Sequence, residues 1–320
     1  MVIKKNKKYD IVGIGNAIVD LISKVDDSYL ERNNITKGTM SLVDSDVINK
    51  IIDETDIIKT ISGGSVANSI VSIAQQNLKT VFIGKVNQDE LGKKFAEGLK
   101  KENVTFKIAA QSGDKHTARC MILVSPDAER TMNTYLGISQ DLTEQDIDMS
   151  FIDESSILYL EGYLWDLDNA KIAIRKSVSN AKSSKTMVAF SISDAFCVDR
   201  FREEFLDLIN KSVDLVFANE AEIKSLFETN DLNIAIKKCQ ETSKIFAVTL
   251  GSKGAKIIYN SDIINIEAEI IENLVDTTGA GDLFAAGFLS EYIRSQNLKL
   301  SGKEGVRMAS LIIQKFGARI

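Results

Sequence analysis

The spacing of hydrophobic and polar positions changes several times along the chain. The first apolar run, Tyr9-Asp10-Ile11-Val12-Gly13-Ile14-Gly15, reads as a buried strand that ends in glycines. Residues 21–25 and 38–44 predict two more strands, the second leading into a helix over about 45–53. A helix preceded by residues 62–69 and running to about 76, then a strand over 79–86, follow. Residues 89–101 place Leu91, Phe95 and Leu99 on one helical face. Residues 117–124 and 130–135 are extended, joined by a turn at 125–130.

From residue 155 the pattern becomes regular. Strands are predicted at 156–160, Met187–Ser191, 213–218 and Ile245–Thr249. They alternate with helices near 168–181, 199–209, 220–227 and Leu232–Glu241. Short apolar strands alternating with amphipathic helices indicate a parallel sheet covered on both faces. A hairpin-like segment over 256–266 precedes an extended approach at 270–275. Helices over 283–293 and 301–316 complete the chain. The early strands lack a long helix between them, so they suit a small sheet projecting from the main one. The expected fold class is α/β: a mostly parallel central sheet with helices on both faces, plus a small β-sheet.

Composition narrows the possibilities. At 320 residues with 44% hydrophobic content, the chain suits one domain, 1–320, with a sizeable core. The net charge of −6 argues against nucleic-acid partners. Any phosphate ligand must then be held by helix starts, a metal or a few basic residues. The basic run at 4–8 reads as a solvated tail. Cys120, Cys197 and Cys239 are odd in number and far apart, which fits a reducing cytoplasm and offers no metal or redox motif. His116 is the only histidine, which excludes a histidine-built zinc site. No signal peptide is visible, and no apolar run reaches membrane-spanning length.

Candidate chemistry sits in glycine-rich turns. Asp276-Thr277-Thr278-Gly279-Ala280-Gly281-Asp282 opens a helix, where unpaired N–H groups and the helix dipole favour an anion. A carboxylate there is costly unless it has a task such as accepting a proton; the bland alternative is an ordinary turn with Asp near a helix start. Ser62-Gly63-Gly64-Ser65-Val66-Ala67-Asn68 is a second polar helix start, or a βα turn with a capping serine. Neither glycine turn completes a dinucleotide fingerprint, because Ile18 and Phe284 stand where the third glycine is required. No P-loop run occurs.

The run from Asp276 to Asp282, followed by Leu283-Phe284-Ala285-Ala286-Gly287-Phe288, resembles the C-terminal signature of the ribokinase-like (PfkB) carbohydrate and nucleoside kinases. Gly63-Gly64 with Asn68 resembles that family's N-terminal signature, in the same order along the chain. The resemblance implies that Gly279, Ala280 and Gly281 form an anion hole and that Asp282 is the catalytic base. It implies that Asp20, Gly63, Gly64 and Asn68 bind substrate hydroxyls. It also implies that Asn219 and Glu222 organise Mg²⁺, mostly through water, and that Thr249, Gly251 and Gly254 contact ATP. A helix cap is the bland reading of Asn219, and a glycine-rich turn that of the last three. Residues about 16–43 and 105–137 would form a lid. In adenosine-kinase-like members an arginine after the lid turn reaches the transferring phosphate. Arg130 matches it by position, and could equally be a surface lid residue. Gly84, Asp89 and Gly92 match a segment read as structural. A monovalent cation (K⁺) near the 276–281 turn is implied as well.

The expected activity is transfer of the γ-phosphoryl group of ATP to a primary alcohol of a small-molecule nucleoside or sugar. The layout looks most like adenosine-kinase-like members, with fructokinase and ribokinase types close behind. A non-catalytic sensor on the same fold is a distant alternative, disfavoured by retention of Asp282. Asp194 has a possible role at the ligand edge. Tyr163 and Trp165 either line the pocket or pack beside it. The chain is expected to be a monomer or a homodimer.

Overall fold

The computed structural model describes residues 7–107 and 114–319. Residues 4–6 of the basic run and 108–113 of the expected lid lie outside the described residues. In chain order the strands are β1 (Tyr9–Ile14), β2 (Ile18–Lys24), β3 (Met40–Leu42), β4 (Ile57–Gly63), β5 (Thr80–Ile83), β6 (Thr105–Phe106), β7 (Ala118–Val124) and β8 (Arg130–Tyr135). They continue with β9 (Ser155–Glu161), β10 (Met187–Ser191), β11 (Leu215–Asn219), β12 (Ile245–Thr249), β13 (Ala255–Tyr259) and β14 (Asp262–Ile266). The helices are α1 (Asp27–Arg32), α2 (Ser45–Glu54), α3 (Ser65–Ala74), α4 (Glu90–Lys101), α5 (Met149–Asp153) and α6 (Asp168–Ser184). They continue with α7 (Ala195–Ser212), α8 (Glu220–Leu226), α9 (Leu232–Glu241), α10 (Ala280–Ser295) and α11 (Leu298–Ile312).

Nine strands form the large sheet in the order β14-β13-β12-β11-β10-β9-β1-β5-β6. The strands from β12 to β6 pair in parallel, and β13 and β14 add an antiparallel hairpin at one edge. Alternating side chains feed two cores. Tyr159, Phe217 and Ala247 pack with α3, α10 and α11 residues such as Ile70, Phe288 and Val306. Leu158, Val216 and Phe246 pack on the other face with α6 to α9 residues such as Ile174, Phe205, Ile223 and Ile236. Near-continuous apolar strands follow from burial on both faces. Among the described residues, no helix is long and apolar enough to cross a membrane.

The small sheet expected from the early strands has the order β3-β8-β7-β2-β4. Its extent differs from 16–43 plus 105–137. Residues Thr105 and Phe106 extend the large sheet beyond β5, so the small sheet resumes only at Ala118. It also gains β4, whose antiparallel pairing with β2 brings Gly63 level with Ile18.

Other elements shift for identifiable reasons. Asp194 caps α7 by accepting the Cys197 N–H at 2.7 Å, so that helix starts before residue 199 and kinks at Phe201. Asn297 caps α11 one turn ahead of Ser301. Residues 270–275 form no strand: Ile270 and Leu274 are exposed, and the Val275 N–H donates to Ile313 O at the end of α11. Lys7 and Lys8 are not a free tail. Lys7 Nζ donates to Thr186 Oγ1, and Lys8 pairs with Glu154. The 84–92 segment is structural, as read from the sequence: the Asp89 carboxylate caps α4 and accepts from Thr117 N and Oγ1.

Candidate active site

The parallel strands end on one edge, and helix starts face that edge. Gly64 caps α3 with φ +100°, and a Cβ there would lie 2.2 Å from Asn16 O, so glycine is required. Gly63 has a different reason. A Cβ on it would meet Asp20 Oδ2 at 2.5 Å, so its absence makes room for the carboxylate. Asp20 stands in β2 beside this turn. Burial pushes its carboxyl up to about 6, against the opposing charges of Arg319 and Arg130.

Asp282 lies in the first turn of α10, which begins after Gly279 in the left-handed conformation. The first helical bond runs from Leu283 N to Gly279 O. The N–H groups of Gly281 and Asp282 therefore precede any intrahelical acceptor. A Cβ on Gly281 would meet no atom within 4 Å, so the space over the turn is open. Asp282 Oδ1 accepts from Ser65 Oγ at 2.6 Å and Oδ2 from Asn68 Nδ2 at 3.0 Å. Ser69 Oγ donates to the Asp282 carbonyl at 2.8 Å. Burial raises the Asp282 carboxyl above the usual range, while Ser65, Asn68 and Arg319 oppose that shift. The two glycine signatures thus meet through side chains of α3 and α10.

A cavity of about 550 Å³ opens from Ser65. Its lining mixes polar side chains, among them Asn16, Glu161 and Asp194, with Met40, Leu42 and Met132 of the small sheet and Phe196. Phe196 is 63% exposed, and the Arg200 guanidinium lies 4.4 Å from its ring centre. Tyr163 lines this cavity. Trp165 does not: it is fully buried against Phe190 and Phe205, with Nε1 donating to Glu204.

The sequence does not single out Glu161. It is buried at the end of β9, accepting from Asn16 N at 2.8 Å, Asn16 Nδ2 at 2.9 Å and Val66 N at 2.9 Å. Burial pushes its carboxyl up to about 7, although these donors favour the ionised form. It ties the link between β1 and β2 to the start of α3. Arg319 is also missed. Its Nε donates to Asn68 Oδ1 at 3.0 Å and its Nη1 to Ser62 Oγ at 2.6 Å. Both contacts join residues distant in sequence, so local spacing carries no signal for them.

The other expected site residues fall into two groups. Asn219 ends β11 in register with Thr249 at the end of β12. Gly251 follows, exposed, with nothing within 4 Å of its Cβ position. These three present an open edge. Glu222 forms a capping box with Asn219: its Oε2 accepts Asn219 N at 2.9 Å, and its own N donates to Asn219 Oδ1 at 2.9 Å. Asn219 Nδ2 bonds Oε1 at 2.5 Å, so both Glu222 oxygens are engaged. Burial pushes its carboxyl up to about 8. Among the described residues, no group of three acidic, His or Cys side chains is arranged to hold a metal.

Gly254, also expected at the nucleotide, lies in the turn between β12 and β13. It is buried, and a Cβ there would lie 2.0 Å from Ile266 O, so it serves the hairpin turn. Arg130 stands beside the anion turn, but its guanidinium pairs with Asp276. Asp276 also accepts from Thr278 N and Gly317 N. The Arg130 charge is therefore neutralised in this structure rather than held free for a phosphate.

The pfkB family carbohydrate kinase profile matches residues 10–320, and the chain belongs to that family. It is similar to the adenosine kinase of Sinorhizobium meliloti, with 39% identity and a TM-score of 0.91, covering 98% of this chain and 96% of that one. A probable sugar kinase of Rhizobium etli is alike at 38% identity and TM-score 0.91, with 98% and 96% covered. Adenosine kinase 2 of Arabidopsis thaliana shares 24% identity over 345 residues, covering 98% of this chain and 96% of its own length. The family read from the sequence therefore stands: the chain is a kinase, and ATP use follows from membership. Sugar and nucleoside kinases both occur among the relatives.

Proposed function

We propose that this kinase transfers the γ-phosphoryl group of ATP to a primary hydroxyl of a nucleoside. The observation that carries this reading is the cavity at Ser65, whose lining adds a set of apolar side chains to its polar ones. A sugar needs hydroxyl partners near Asp282. A nucleoside needs those and an apolar wall for its base, which Met40, Leu42, Met132 and Phe196 supply. The volume of about 550 Å³ lies in the range of small-molecule sites, roughly 300–1,000 Å³.

Asp282 accepts the proton of the attacking CH₂OH, while Ser65 and Asn68 hold its carboxylate in place. Asp20 and the Gly63–Gly64 turn bind the remaining hydroxyls. The Ala280 N–H already donates to Thr277 O. The Gly281 and Asp282 N–H groups offset charge on the transferring phosphoryl, because such transfer needs chiefly positioning and electrostatics. Arg130 joins them on leaving Asp276 for the phosphate. Asn219, Thr249 and Gly251 border the nucleotide. Mg²⁺, when bound with ATP, neutralises phosphate charge. With both oxygens engaged, Glu222 suits contact with that ion through water. The carbonyls of the 276–281 turn suit K⁺. The small sheet acts as a lid that excludes water, the competing acceptor. Buried free cysteines support a cytoplasmic location.

An ADP-release assay over adenosine, other nucleosides, fructose and ribose tests the acceptor class. Turnover with a nucleoside above both sugars supports the reading; preference for a sugar refutes it.

A further inference from the structure

The acceptor end of the site contains a cation that neither glycine turn supplies. Arg319 Nε–H donates to Asn68 Oδ1 at 3.0 Å, and Nη1–H donates to Ser62 Oγ at 2.6 Å. Its fork thus spans the Gly63–Gly64 turn, from the end of β4 to the first turns of α3. We propose that Arg319 is a positioning residue for phosphoryl transfer, fixing the Asn68 amide so that its NH₂ end faces the Asp282 carboxylate. The proposal rests on Asp282 being the base.

The argument is one of donors and acceptors. A guanidinium only donates, so it can hold only the carbonyl end of an amide. An ionised carboxylate only accepts, so it can hold only the NH₂ end. Asn68 is buried between the two, with Nδ2 3.0 Å from Asp282 Oδ2. With Arg319 present, one amide orientation satisfies both neighbours. Without it, the carbonyl is buried and unpaired and the amide loses its reason to stay aimed.

The cation also acts by charge. It favours the ionised forms of Asp282 and Asp20, both raised by burial. Burial lowers Arg319 itself to about 10, still charged at neutral pH. Other groups near Asp282 are Ser65, Ser69, Glu161, Tyr159 and Tyr163; Arg130 faces Asp20 and Glu102 faces Arg319. Arg319 Nη2 is buried without a protein partner.

The test compares R319Q, R319K and R319A with the parent enzyme, using the acceptor the parent turns over fastest. R319Q is expected to lower kcat about 10- to 100-fold, leave the KM for ATP unchanged and move the acid limb of kcat upward by roughly one pH unit. R319K keeps the charge without the fork, so it shifts the limb less while still losing turnover. Free guanidinium is expected to restore R319A more than ammonium does. Parent-like kcat and acid limb in R319Q would overturn the proposal. So would a fall in Tm and kcat together, with no limb shift and no rescue, since that marks a structural anchor only. D282N separates the two ideas: if it keeps turnover, the base assignment fails; if it loses turnover while R319Q does not, only the role of Arg319 fails.

Discussion

Asn68 donates to Asp282 across 3.0 Å although 214 positions separate them in the chain. One residue comes from the first turns of α3 and the other from the first turn of α10. Their contact brings the Gly63–Gly64 turn and the Gly279–Gly281 turn together. Ser65 closes the same carboxylate from its other oxygen at 2.6 Å.

Replacing Asp282 by Asn removes the proton acceptor and keeps the shape. Turnover is expected to fall by about 10²–10⁴, with ATP affinity nearly unchanged. Steady-state kinetics with nucleotide-binding titration checks both. Parent-like turnover in D282N would contradict the base role.

Burial raises the Asp282 carboxyl. The base is active when ionised, so its fraction falls as pH drops through a value above the ordinary carboxylate range. The acid limb of kcat is expected at a higher pH than an exposed aspartate would give, about 3.9. A kcat profile from pH 5 upward measures it.

Gly64→Ala forces a Cβ to 2.2 Å from Asn16 O in a left-handed backbone. The strain is expected to cost about 1–3 kcal/mol and to raise the acceptor KM, because Ser65 and Asn68 follow directly. Denaturant unfolding and acceptor kinetics report the two effects together.

Glu161→Gln replaces an oxygen with an NH₂ group that cannot serve both Asn16 and Val66. One buried donor is left unpaired, at about 1–3 kcal/mol. Because burial raises Glu161 to about 7 and Glu222 to about 8, the folded state holds these protons more tightly than the unfolded chain. Their contribution to stability is thus greatest below the unfolded values near 4.3 and declines as pH rises through 7 to 8. Urea unfolding of parent and E161Q between pH 5 and 9 checks the slope.

Much of this was legible in the sequence because it is local. Met187–Ser191, Ile245–Thr249 and Leu232–Glu241 form as the spacing predicts, and the two glycine signatures open helices. What escaped is long-range. Glu161 looks like the last residue of a strand until Asn16 and Val66 meet it. Arg319 has no motif around it, and its role appears only when the segment after α11 crosses Asn68. Trp165 follows a strand end, where pocket lining and packing are equally open from the sequence; Phe190 and Phe205 enclose it. Gly254 belongs to a recognisable glycine run, but its close approach to Ile266 O is visible only in the fold.

Phe196→Ala removes an exposed ring from the cavity lining. Stability is expected to change by less than about 0.5 kcal/mol. The KM for a nucleoside is expected to rise about tenfold, equivalent to roughly 1.4 kcal/mol, and the KM for ATP to stay unchanged. An equal loss for a nucleoside and for ribose would argue against a base site at this wall.

The acceptor preference tests the central claim most directly. Measured as kcat/KM by ADP release, a nucleoside is expected to exceed fructose and ribose by at least about 100-fold, a difference of roughly 2.7 kcal/mol. A sugar equal to or better than every nucleoside tested would contradict the account.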